Sequence, residues 1–144
     1  MLAMFGPFAL AVAALFTGAA IYINWAEQPA RLSLDDPWML AEWKPSYQRG
    51  FLMQASLAII GFILGALEWM VTGHVIWLAG GAALLANWPF TIFAIMPVNR
   101  KLEETPIELA NEETRSLIER WGMLHGVRSV LGVFSLGLFL WASI

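Results

Sequence analysis

The sequence predicts an all-α integral membrane protein, a bundle of four transmembrane helices, and three observations carry that expectation. Of its 144 residues, 59% are apolar and only 13% charged, whereas soluble domains average about 45–50% and about 25%. Four stretches, roughly 4–23, 51–69, 75–96 and 127–144, approach the length of about 20 mostly apolar residues that a bilayer-spanning helix needs. All eight Lys and Arg residues fall in or beside the two long connections between those stretches. The same figures exclude other classes. A net charge of −3 gives no general basic surface, so no nucleic-acid partner is expected. The absence of cysteine removes disulfides, thiolate metal sites and a Cys nucleophile. The length suits one domain covering residues 1–144.

The first stretch lacks a Lys/Arg n-region and is followed by three more, so it reads as a retained span rather than a signal peptide. The connections 24–50 and 97–126 are long and polar, while Thr72-Gly73-His74 is a tight turn. With four spans, both long connections lie on one side. The positive-inside rule puts them in the cytoplasm and both termini outside, in what the compact length suggests is a bacterial cytoplasmic membrane. Trp25, Trp38, Trp43 and Trp121 then fall near the cytoplasmic boundary and Trp69, Trp77 and Trp141 near the outer one, as an aromatic belt requires. Trp88 is the exception, about 16 Å along the helix from Trp77 and so mid-membrane.

The first connection, with Pro29, Pro37 and Pro45, reads as irregular with short turns. The second has a capping residue, a proline and an acid in Thr105-Pro106-Ile107-Glu108, with Asn111 as a further cap. A cytoplasmic helix is expected to start there and to run through Arg120 and Trp121 into the fourth span. The pairs Gly61/Gly65 and Gly122/Gly126 have the spacing that lets helices approach closely. They suit either a homo-oligomer or, more economically, tight packing inside one bundle.

Polar side chains within spans are costly, about 2.5–3.5 kcal/mol for a central Arg, Lys or Asp on insertion scales, so their positions matter. Asn24, Glu27 and Gln28 share a helix face by their i, i+3, i+4 spacing. Tyr47, Arg49 and Gln54 open the second span. Asn87 and Thr91 lie one turn apart in the third, followed by Asn99. Trp121, His125 and Arg128 share a face of the fourth. Each set lies in the cytoplasmic half of its helix, which predicts a one-sided polar cavity. Pro89 should break the third helix near Asn87, freeing the carbonyl of Leu85.

Each residue has a functional and a structural reading. His125 is a general base, the one side chain here that exchanges protons near neutral pH, or an interfacial histidine. Arg128 is an anion-stabilising charge or half of an ion pair, with Glu27 the expected partner. Asn87 and Asn99 orient a ligand or hold helices together. Glu27 with His125 is an incomplete metal set, and no His-x-x-x-His or Glu-x-x-His pair is present, so no metal is expected.

Several runs, in order, resemble a known family. They are Glu27-Gln28-Pro29-Ala30-Arg31, then Trp43-Lys44-Pro45-Ser46-Tyr47-Gln48-Arg49-Gly50, then Asn87-Trp88-Pro89 with Pro97-Val98-Asn99-Arg100-Lys101-Leu102, and finally Arg120-Trp121 with His125 and Arg128. Together they look like the anthrone-oxygenase-like family of small four-span membrane proteins, many known only as a domain of unknown function. The resemblance covers nearly the whole chain. It implies oxidation of a flat apolar aromatic by O₂ without a cofactor. In that chemistry a base removes an acidic C–H, and the electron-rich anion itself reduces oxygen. The base is then assigned to His125 and the anion donor to Arg128. Glu27, Gln54, Asn87, Trp88, Thr91, Asn99 and Trp121 are the expected substrate-binding residues. Expected partners are membrane lipids and a small apolar aromatic or quinoid ligand. Two readings of other classes stand beside it: a non-catalytic protein that holds a small amphiphile or quinone, and a structural subunit of a membrane complex.

Overall fold

The computed structural model describes residues 4–144, and its described residues are helical almost throughout. Four helices are long and apolar enough to cross a membrane: α1 (Gly6–Leu32), α2 (Asp36–Thr72), α3 (Val75–Glu104) and α4 (Glu112–Ser143). Each packs along its neighbours in chain order and α4 closes the ring against α1, so the chain runs up and down around one bundle. Many apolar side chains face outward, among them Leu15, Leu52, Met70, Phe93 and Val130, as a bundle solvated by lipid requires. One end carries both interhelix connections, 33–35 and 105–111. The other carries the described ends of the chain and the Gly73 turn.

The prolines explain where the expected irregular connection went. Pro37 lies in the first turn of α2, where a missing N–H costs nothing, and Asp36 beside it suits the helix dipole. Pro45 is accommodated inside α2. The region read as turns is therefore mostly helix, and α2 at 37 residues extends about 55 Å, well beyond an apolar core of about 30 Å. Pro29 and Pro97 each follow a widened π turn, Ile23–Glu27 in α1 and Thr91–Ile95 in α3. There an N–H reaches the carbonyl five residues back, Gln28 to Ile23 and Met96 to Thr91. The wider turn makes room where a proline ring would otherwise strike the preceding carbonyls. The break expected at Pro89 is a one-residue pause at Ala86, after which the helix resumes at Asn87.

The start of α4 is set by Asn111, not Thr105. Asn111 Oδ1 accepts from the N–H groups of Glu113 and Thr114 at 3.0 and 3.2 Å, and Thr114 Oγ1 accepts from the N–H of Asn111, a reciprocal cap. The residues after Pro106 form only a short 3₁₀ turn, Ile107–Leu109. Several basic residues counted for topology also have structural work. Arg115 donates to the carbonyls of Leu32 and Leu34 and to Asp36. Lys44 donates to the carbonyls of Glu103 and Thr105. Both cations thus close helix C-termini, where the dipole favours them.

The tryptophans divide. Trp25, Trp38 and Trp141 are exposed and suit a belt. Trp43, Trp77 and Trp121 are buried core residues, because their helix faces turn inward. Glu68, near the end of α2, is buried and accepts from the backbone N–H groups of Phe5 and Gly6, both at 2.9 Å. It anchors the start of α1 with a charge-assisted cap.

Two apolar clusters fill the bundle. One contains Met39, Trp43, Val98, Leu102, Ile118 and Trp121 near the connections. The other contains Ala13, Phe16, Ala58, Leu84 and Phe139 toward the opposite end. Gln54, Asn87, Thr91, His125 and Arg128 are buried polar residues that fall between the two clusters, whereas Arg31 and Thr114 lie toward the connections and Glu68 at the opposite end. Gly65 belongs to the second region: a Cβ there would lie 2.7 Å from the carbonyl oxygen of Trp77 and 3.0 Å from the Phe139 ring. Gly61 and Gly65 therefore serve packing within the bundle, whereas a Cβ on Gly126 would meet open space. Overpacking of this kind costs about 1–3 kcal/mol. Gly65→Ala is expected to lower the unfolding temperature in detergent, while Gly126→Ala leaves it nearly unchanged; equal effects would contradict internal packing of the glycine pair.

Candidate functional site

Between the two clusters lies a polar layer built from all four helices. Its organising residue is Asn24, placed on the π turn of α1. Asn24 Nδ2 donates to the carbonyl of Gly122 at 2.9 Å, which fixes the orientation of the amide. Its Oδ1 accepts from Ser129 Oγ at 2.8 Å and faces His125 Nδ1 at 2.9 Å. An amide oxygen only accepts, so His125 Nδ1 carries the proton. In the neutral ring the lone pair then sits on Nε2. The imidazole is held further by the Trp121 ring, 5.1 Å away between centroids, and is itself buried.

Arg128 lies one turn deeper. It is 6% exposed, its guanidinium stands 5.8 Å over the Phe16 ring, and it makes no salt bridge among the described residues. Glu27, its expected partner, instead pairs with Arg31, which also bonds Glu42 and donates to Gln28 Oε1 at 2.8 Å. The correction has a local cause: Arg31 is four residues from Glu27 on the same helix, and it is fully enclosed between α1, α2 and the Trp121 ring at 5.5 Å. Arg128 is left as a buried cation without a carboxylate. Such a charge is expensive to hold in a low-dielectric interior, which makes Arg128 a candidate functional residue.

His125 and Arg128 both line a small cavity of about 20 Å³, together with Gln54, Asn99, Tyr47 and Trp121. Glu27 touches its edge. Phe51, Gln54 and Arg128 separate it from a second space of about 30 Å³, which Asn87, Trp88 and Thr91 line. Every substrate-binding residue expected from the sequence thus borders one of two adjoining cavities. Their bonding differs among themselves. Trp88 Nε1 donates across the bundle to the Ala55 carbonyl at 3.2 Å, and Asn87 Nδ2 donates to the Leu84 carbonyl at 2.9 Å; both therefore also hold the fold. In contrast Gln54 Nε2, both amide atoms of Asn99, Asn87 Oδ1 and Arg128 Nε are buried without a hydrogen-bond partner. Buried polar atoms are rarely left unpaired, and these border the two adjoining cavities. Those spaces suit a ligand or water bearing both accepting and donating oxygens.

Three contributors were missing from the expected set. Asn24 was visible only as a member of a polar helix face, and its role as the histidine's partner depends on α1 packing against α4. Tyr47 stacks on the buried Trp43, 4.8 Å between centroids and nearly coplanar, and so presents its phenol to the cavity. Arg31 looked like a surface cation in the sequence but is buried.

Fold and site together define a membrane-spanning four-helix bundle with a small polar chamber, furnished with one oriented imidazole and one unpaired guanidinium. Residues 43–138 match the family model described as anthrone oxygenase. A protein named anthrone oxygenase, from Claviceps purpurea (strain 20.1), is 28% identical over 138 residues, covering 85% of this chain and 79% of that one. No solved structure matches. The chain belongs to the anthrone oxygenase family.

Proposed function

We propose that the protein is a membrane-embedded oxygenase that oxidises an apolar, anthrone-like aromatic with O₂, without a cofactor. The observation that carries this reading is the pairing, around one small cavity, of a histidine with its tautomer fixed and an arginine with no counter-ion among the described residues. His125 Nε2 removes a proton from the methylene carbon opposite the ketone. The electron pair moves into the ring system and charge develops on the ketone oxygen, where Arg128 and the amide N–H groups of Gln54 and Asn99 receive it. The anion reduces O₂, and a carbon–oxygen bond forms to give a peroxide at that carbon. Loss of the remaining proton from the same carbon, with cleavage of the O–O bond, leaves a second ketone and releases water. One O₂ is consumed per quinone formed, one oxygen atom entering the product and one leaving as water.

The family membership supports the oxygenase class, and the donor-rich chamber supports an anionic intermediate. The eight basic residues support placing the two connections in the cytoplasm and the termini outside. Apolar substrate and product then exchange with the lipid phase. With ¹⁸O₂, the expected quinone carries a single heavy atom at the newly formed carbonyl, and the rate is unchanged after exhaustive chelation. A product labelled from water, or a rate abolished by chelator and restored by metal, would overturn the cofactor-free route.

A further inference from the structure

The inner cavity holds about 20 Å³, room for roughly one water molecule, while sites for small organic ligands are about 300–1,000 Å³. A tricyclic substrate therefore does not fit the chamber in this form. An open groove of about 850 Å³ runs between α1 and α2 on the outer face of the bundle. Ile23, Glu27, Ser46 and Gly50 line both the groove and the chamber, so a single layer of side chains separates the two. We infer that this groove is the lateral docking and access site through which a planar polycyclic hydroxy-ketone passes from the lipid phase to the chamber. The inference rests on the proposed oxidation for the identity of its occupant.

The groove's shape and polarity favour that occupant. On its α1 wall Ala14, Gly18 and Ala19 carry little or no side chain and leave a low strip beside Leu15 and Tyr22, and Leu57 and Met53 face it from α2. A slab-like aromatic lies along such a strip. Charged and hydroxyl groups gather toward the connection end, where Glu27 and Ser46 also line the chamber and Tyr22 and Arg49 line the groove alone. A molecule with an apolar body and oxygen atoms along one edge is matched at both ends, whereas an acyl chain leaves the polar end unused.

The partition between groove and chamber includes a widened helical turn. Ile23 and Glu27 bound the π turn of α1, and reversion of such a turn to α geometry rotates the side chains around it. Gly50 lies opposite: a Cβ there would be 3.8 Å from Ile23 Cδ1, so nothing but the isoleucine fills the gap. The Arg31 ion pairs with Glu27 and Glu42 tether the partition from the connection end.

The cysteine-free sequence gives a direct test. Gly18→Cys places a thiol in open space on the groove wall, and Gly126→Cys places one in open space in a different groove, between α1 and α4. Each variant is compared before and after reaction with a bulky lipophilic maleimide. The probe is a hydroxylated anthraquinone, which cannot be oxidised further at the reacting carbon, and its association is followed by tryptophan quenching. Labelling Gly18→Cys is expected to slow association by about tenfold or more, while labelling Gly126→Cys leaves it unchanged. Slowing at position 126 alone, equal rates at both, or no binding to the unlabelled protein would overturn the access site. Binding that follows the expected pattern in a protein that never turns over an anthrone would instead overturn the oxygenase reading and leave the groove assigned.

Discussion

Replacing His125 by alanine is expected to lower kcat for a hydroxylated anthrone by about 10²–10⁴-fold, the usual contribution of a positioned base. The loss follows from the Asn24 contact. Because Asn24 gives its N–H to Gly122 and its oxygen to His125 and Ser129, the imidazole presents its basic nitrogen away from that hydrogen bond. Alanine also removes the hydrogen bond, so a second variant separates chemistry from structure. His125→Asn keeps an N–H donor where Nδ1 stood but supplies no base. If the residue acts as the base, the asparagine variant falls as far as alanine with little change in KM. Recovery of most of the activity by asparagine would assign His125 a structural part only.

The second large effect concerns Arg128. Arg128→Met removes the charge and retains much of the volume. Loss of one donor to a developing oxyanion costs about 10²–10³ in kcat. Stability should move the other way. Replacing buried ionic groups by well-packed apolar ones is often neutral or stabilising by about 1–4 kcal/mol, and Arg128 has no partner whose charge would be stranded. Lower turnover with an unfolding temperature in detergent that is equal or higher is the expected combination. A variant that loses stability and retains turnover would show that the guanidinium serves the fold alone. Arg31→Met, by comparison, strands Glu27 and Glu42 at once and should destabilise the protein.

The contrast between the two arginines shows what the sequence held and what it did not. Runs of apolar residues made the four spans readable, since a bilayer imposes length and composition on each helix separately. The i, i+4, i+7 spacing likewise brought Trp121, His125 and Arg128 to one face, and the structure places those three around one cavity. Pairings between helices were out of reach. Nothing local distinguishes Arg31 as buried, which follows from how α1 and α2 close over Trp121; the i, i+4 spacing of Glu27 and Arg31, by contrast, did offer Glu27 a nearer cation than Arg128. The same limit hid Asn24 as the partner of His125 and turned Trp43, Trp77 and Trp121 from belt residues into core. The first connection misled for another reason. Three prolines in a polar stretch read as breakers, yet Pro37 occupies a helix start and Pro29 follows a π turn. A widened turn has no sequence mark except the proline after it.

The central claim, that this chamber carries out a base-initiated oxidation by O₂, is tested most directly by oxygen uptake. Purified protein in detergent is given a hydroxylated anthrone while quinone absorbance is followed in parallel, with the spontaneous rate subtracted and His125→Asn run alongside. Quinone formation dependent on the protein, with one O₂ consumed per quinone and loss of the rate in the variant, is the predicted result. A rate no greater than background, or one that the variant shares, would contradict it.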